Sequence, residues 1–137
     1  MEIPFAEFNW LAIIASIIAG QVISTVWFVP LFGEPWAQEY GATDRQSHTS
    51  EIPGYTYGVQ IACTIIMVLT VATLQKWLGT NTFGGGLSLG LLLAIGLVLA
   101  TGIPGQAFLK RWRVAALASG CQAVMIIAIS IILAVWQ

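Results

Sequence analysis

The chain has 137 residues, a net charge of -1, 58% hydrophobic residues and 8% charged residues, and with so few charges it cannot cover itself in water; a soluble domain carries about 25%. Its mean hydropathy of +0.86 makes the bilayer its solvent. The length suits one domain, and without a basic excess no nucleic-acid partner is expected.

The N-terminus, "MEIPFAEF", carries two acids and no Lys or Arg, the opposite of a secretory leader. The apolar run that follows is therefore expected to remain as a membrane span. A helix needs about 20 apolar residues to cross the hydrocarbon, and the first predicted crossing runs from 8 to 30. It places Ala12, Ser16, Gly20 and Ser24 four residues apart. At 3.6 residues per turn these form a stripe of small side chains, the kind of surface on which membrane helices approach closely. Gln21 falls roughly 15–18 Å into the span, at about 1.5 Å per residue.

The crossing closes on "WFVPLFGEPW", Trp27 to Trp36. Pro30 stops or kinks the helix, because it lacks the backbone donor and clashes one turn back. Phe32 and Trp36 are expected in the headgroup layer. Gly33 permits a turn, and Pro35 suits the first position of a short interfacial helix, "PWAQEYG", ending at Gly41. Two readings of the motif stand side by side: an anchor where a helix leaves the membrane, or the wall of a functional groove. The next stretch, "GATDRQSHTSEIPGY", reads as a solvated linker carrying Asp44, Arg45, His48 and Glu51, with no metal-ligand spacing around the single histidine.

The second crossing is predicted over 57–77, with Gln60 near its start and Lys76 as its only charge. The loop "NTFGGG" leads into the third, 83–103, which again spaces Gly86, Gly90 and Ala94 by four. "GIPG", Gly102 to Gly105, is expected to end or bend it, and "QAFLKRWR", with Gln106, to form an amphipathic cap. The fourth crossing, 114–136, carries Ala116 and Gly120 as its small residues and Gln122 near mid-depth. The fold class is therefore all-α: an integral membrane four-helix bundle with a short interfacial helix after the first span.

Loops 31–56 and 104–113 hold Arg45, Lys110, Arg111 and Arg113, against Lys76 alone on the other side. Positive charge favours the cytoplasm, which would leave both termini outside. Aromatic residues gather at the predicted boundaries: Trp10, Trp77, Phe83 and Trp136 at one end, Trp27, Trp36, Tyr55, Tyr57, Phe108 and Trp112 at the other.

No carboxylate, Lys, Arg or His is expected at depth, where such groups mark proton relays and catalytic pairs. Neither catalysis nor a cofactor or metal is expected, and Cys63 and Cys121 read as small apolar side chains. Glutamine is the remaining polar chemistry. Gln21 and Gln122 are expected at similar depth, and Gln60 and Gln106 near the arginine-bearing side. They either hydrogen-bond between helices, worth about 0.6 kcal/mol on average, or line a path for a small neutral solute, a quinone or a lipid headgroup. The expected partners are membrane lipid and either further copies of the chain or a larger membrane complex. The functional expectation is a self-associating or accessory subunit; the alternative is a facilitator or pore lined by Gln21 and Gln122.

Asn9-Trp10, a span rich in Ala and Gly, then Trp27, Pro30, Phe32-Gly33 and Trp36, followed by three more crossings, resemble the small bacterial membrane proteins catalogued as domain of unknown function 1761. That family closes its first span with Trp-Tyr-x-Pro-x-x-Phe-Gly-x-x-Trp. Here Phe28 stands for the Tyr, and the step from Pro30 to Phe32 is one residue shorter. Many members carry a Tyr-His pair in the fourth span, where this chain has Gly120-Cys121-Gln122. The resemblance implies four crossings and an inner-membrane home, and it implies no activity.

Overall fold

Hydrocarbon offers no hydrogen bonds, so a segment within it must bond its own backbone, and each long apolar run here does so as helix. The computed structural model describes residues 2–137. Helix α1 (Trp10–Val26) starts at Asn9, whose side chain accepts the N–H groups of Leu11 and Ala12. It continues through a π turn, Trp27–Leu31. Two short helices follow, α2 (Gly33–Glu39) and α3 (Arg45–Glu51), and then the long α4 (Tyr55–Leu78). Helix α5 (Phe83–Leu93) passes through a second π turn, Ala94–Leu99, into α6 (Ala100–Phe108), and α7 (Trp112–Val135) ends the chain. The protein is all-α, with four crossings long and apolar enough to span a membrane: Trp10–Leu31, Tyr55–Leu78, Phe83–Phe108 and Trp112–Val135.

Helix α7 is the hub. It packs against α1, α4, α5 and α6. Half of its apolar stretch is buried, against 22% for the first and third crossings and 28% for the second. Met125 and Ile129 of α7 and Val68 and Val71 of α4 are fully buried at the centre. Small residues set the spacing. A Cβ on Gly90 would lie 2.8 Å from the Ile127 Cα, and one on Gly86 would lie 2.6 Å from the Ala134 Cβ. A Cβ on Gly20 would meet the Thr64 Cγ2 at 2.9 Å and the Met125 Cε at 3.3 Å. Ala12, Ser16 and Ala94 are buried and Ser24 is half-buried. The glycines of these stripes thus seat spans of one chain on each other.

Four sequence-based expectations change. Ala116 is exposed; the inward face of α7 at that level carries Ala115 and Ser119 instead, one residue out of phase with the expected stripe. "GIPG" does not end the third crossing, which runs helically through Pro104 to Phe108. The widened turn before it, closed by the Ala100 N–H on the Ile95 carbonyl five residues back, is the local adjustment by which a membrane helix absorbs a proline. The polar linker folds as α3, because the Asp44 carboxylate caps the Ser47 N–H at 2.8 Å. That bond holds the Asp44 carboxyl below its usual range. Finally, Trp10, Trp77, Trp112 and Trp136 are exposed as an interfacial belt requires, but Trp27 and Trp36 are half-buried and face into the protein.

At the end of the bundle that holds the termini, polar contacts tie the segments together. The Trp77 indole N–H donates to the Glu2 carbonyl at 3.2 Å, and the Gln137 amide donates to the Thr80 carbonyl at 3.4 Å. Gly79 takes φ 64 to close α4 there, a left-handed conformation that costs a glycine little.

Candidate functional site

Helices α1 and α4 touch at mid-depth and then part. Gly20 admits Thr64, and the Gln21 Nε2 donates to the Thr64 Oγ1 at 2.8 Å. The Thr64 hydroxyl in turn donates to the Gln60 carbonyl at 2.9 Å. From there towards the arginine-bearing end, residues 55–63 of α4 are exposed, with Gln60 alone half-buried. The space left between the two helices is a cleft of about 340 Å³. Gln21 and Gln60 line its deep end, Ser24, Thr25, Phe28 and Tyr57 its walls, and Trp36, Arg45, His48 and Thr49 its roof.

The Trp27–Trp36 segment builds that roof. Pro30 lies inside the π turn, which closes with the Phe32 N–H on the Trp27 carbonyl at 2.9 Å. One extra residue per turn rotates successive side chains to different neighbours. Trp27 turns to α7. Its Nε1–H donates to the Leu117 carbonyl at 3.0 Å, and its ring lies where a Cβ on Gly120 would come within 3.2 Å. Phe28 turns to the cleft and starts an aromatic ladder: Phe28 to Trp36 at 4.7 Å between centroids, Trp36 to Tyr40 at 5.1 Å, and Tyr40 stacked on His48 at 5.0 Å. The Arg111 guanidinium covers Tyr40 at 5.4 Å and donates to the Glu39 carbonyl at 3.2 Å, so the start of α7 clamps α2 from outside. The Arg113–Glu39 pair at 3.9 Å adds little, because Arg113 is mostly exposed.

Arg45 joins α3 to α1. Its Nη1 donates to the Val29 carbonyl at 2.9 Å. The stem reaches that position by crossing Gly33, where a Cβ would sit 2.5 Å from the Arg45 Cδ. Gly33→Ala is therefore expected to push Arg45 off the Val29 carbonyl at little overpacking cost, because the atoms displaced belong to a flexible, exposed side chain. Amide hydrogen exchange should rise across α3, while Gly58→Ala, which meets open space, should leave α3 unchanged.

The four glutamines part company. Gln21 and Gln60 face the cleft, whereas Gln122 and Gln106 do not line it. Gln21 points at Thr64 of α4, and Gln122 is not among the residues lining the cleft, so the two do not form one lining. Gln106 is half-buried, and its Oε1 has no partner among the described residues. Past Thr64 the interface of α1, α4 and α7 is closed by Val68, Met125 and Ile129, each 0% exposed. The cleft is a blind wedge.

Two features escaped the sequence reading. Gln75, 1% exposed, donates from Nε2 to the Ser130 carbonyl at 2.6 Å, and its Oε1 has no partner among the described residues. It borders a cavity of about 20 Å³ shared with Asn9 and Lys76, room for one water. The second is the ladder itself. Phe28, Trp36 and Tyr40 are spaced by multiples of four, a signal that the intervening proline and glycine concealed; Phe32, in the same register, pairs with Trp27 instead.

Chemically, the wedge offers donors and aromatic faces. Among the described residues no carboxylate lines it, and no group of three His, Cys, Asp or Glu is placed to hold a metal. Neither a curated protein nor a solved structure matches the chain. A family model does, over residues 11–134, from the first turn of α1 to the last of α7. Four crossings, the Trp27–Trp36 closure and that match together place the chain in the family described as "Protein of unknown function (DUF1761)".

Proposed function

We propose that this membrane protein is a non-enzymatic binding module, and that it takes an amphipathic molecule from the surrounding leaflet into the wedge between α1 and α4. The observation that carries this reading is the wedge itself. Its volume of about 340 Å³ is within the range of small-molecule sites. Its floor is amide and hydroxyl, its roof is aromatic, and Thr25, Val29 and Tyr57 on its rim are exposed at the membrane side. The excess of Arg and Lys at the wedge end favours the cytoplasmic leaflet of a bacterial plasma membrane, with both termini outside.

An accessory or self-associating role is compatible with this reading. The first and third crossings bury only 22% of their apolar stretches within the chain, which leaves faces free for a second copy or a larger complex. A solute path through one chain has less support, because Val68, Met125 and Ile129 plug the interface above the wedge.

Filling the wedge tests the proposal. Ser24→Trp places an indole in the space while leaving the α5–α7 and α1–α7 seats alone. Protein purified gently from native membranes is expected to carry a discrete amphiphile by mass spectrometry, and Ser24→Trp is expected to lose it with helicity and elution volume unchanged. Equal retention by the filled variant would remove the basis for the reading.

A further inference from the structure

We infer that the polar end of the bound molecule is a phosphate, carried by an anionic phospholipid and held by Arg45; this rests on the wedge being a ligand site. Arg45 is the one Lys or Arg side chain lining the wedge among the described residues, and no Asp or Glu lines it. A guanidinium has five N–H donors in a planar fork. One nitrogen of Arg45 bonds the Val29 carbonyl, which fixes the fork at the mouth and leaves its other nitrogens free for phosphate oxygens. Asp44, the neighbour of Arg45 in sequence, stays ionised but accepts the Ser47 N–H, and Glu39 lies against Arg113; neither lines the wedge. Hydroxyls of Thr56 and Tyr57 and the amide of Gln60 line the same space and supply further polar partners for a headgroup, whereas the Thr49 hydroxyl already donates to the Arg45 carbonyl.

A choline or ethanolamine ammonium would face Arg45 and find no carboxylate, so a zwitterionic headgroup fits worse than an anionic one. The exposed Thr25 and Val29 rim gives the acyl chains a way out to lipid, and the Phe28–Trp36 pair covers the glycerol region. Phosphate free in the cytoplasm has the same headgroup chemistry but no use for that apolar exit.

Native mass spectrometry of the whole chain, with phosphatidylglycerol, phosphatidylcholine or inorganic phosphate added in turn, separates the cases. The expected result is at least tenfold stronger retention of phosphatidylglycerol than of phosphatidylcholine, with no adduct from inorganic phosphate. Arg45→Gln should abolish the preference, Arg45→Lys should keep part of it, and Lys110→Gln, a cation outside the wedge, should leave it intact. Equal retention of both lipids, or a preference indifferent to Arg45→Gln, would overturn the anionic assignment while leaving amphiphile binding standing. An inorganic phosphate adduct of equal strength would overturn the lipid source. Loss of every lipid adduct from the unaltered protein would instead defeat the binding reading on which the inference rests.

Discussion

Leucine at Gly90 is expected to separate α5 from α7 and unfold the third crossing. The reason is contact with backbone. A Cβ at Gly90 would lie 2.8 Å from the Ile127 Cα, with the Ser130 Cβ at 3.1 Å and the Ile127 carbonyl at 3.4 Å. A helix backbone cannot rotate out of the way as a side chain can, so the helices must move apart. Inserting extra atoms into a packed core costs typically 1–3 kcal/mol. A whole leucine against a helix axis should reach at least the upper end, about 3 kcal/mol, and take with it the contacts that α7 makes through Gly86 next door. In lipid the loss is severe because close packing is itself what holds helices together. Titrating the protein from mild detergent into dodecyl sulfate, read by near-UV circular dichroism, is the measurement. Gly96→Leu is the matched control, since nothing lies within 4 Å of a Cβ there. If Gly90→Leu and Gly96→Leu unfold together, α5 and α7 are not seated as described. If Gly90→Leu changes only the oligomeric state, the glycine stripe faces another copy.

This pair of glycines also marks the boundary of what sequence conveys. Their spacing by four announced a packing face, since repetition of small residues has few other causes. The partner could not be read, because the same stripe serves a neighbour in the chain or in another chain. Direction was not legible either. Counting 1.5 Å per residue places Gln21 and Gln122 at one level, but which way each points depends on helix phase. Gln21 bonds Thr64, and nothing in its own flanks says so. The two π turns, Trp27–Leu31 and Ala94–Leu99, defeat phase counting most directly: each shifts everything beyond it relative to a 3.6-residue period. Beyond Trp27–Leu31 the shift changes which face Phe32 and its successors present, and beyond Ala94–Leu99 the helix runs on through Pro104.

The crossings themselves were legible because the bilayer imposes them. A run of twenty apolar residues in hydrocarbon has one economical backbone solution, so composition alone fixes the element. In the polar segment 42–54 no such constraint acts. There α3 depends on one cap, Asp44 on Ser47, and on where Tyr40 and Arg45 find partners. The wedge follows from that placement: without α3 and α2 over it, the gap between α1 and α4 would be open to water. Arg45, His48 and Thr49 of the wedge's roof thus lie in the part of the chain that composition constrains least.

Trp27→Ala is the second large effect expected, and it should strike fold and wedge together. Trp27 reaches across to α7, where its indole N–H meets the Leu117 carbonyl at 3.0 Å and its ring fills the notch at Gly120. On its other side it packs on Phe32 at 4.7 Å, the residue from which α2 starts. Removing a buried tryptophan costs about 3–5 kcal/mol; this one is half-buried, so about 3 kcal/mol is the expected loss in the same unfolding titration. Trp27→Phe keeps most of the ring and deletes the donor, and should cost about 1 kcal/mol, the usual net value of one hydrogen bond. The Leu117 carbonyl also serves its own helix, so no large penalty for an orphaned acceptor is added. Trp27 does not line the wedge, yet without it α2 loses its hold on α7 through Phe32, and Trp36 loses its fixed position over Phe28. Amide exchange in residues 33–39 should therefore quicken in Trp27→Ala and stay near its original rate in Trp27→Phe. Were the alanine variant to unfold at the original midpoint, with α2 still protected, the Trp27–Trp36 motif would be an ordinary interfacial anchor and not the element that joins α7 to the wedge.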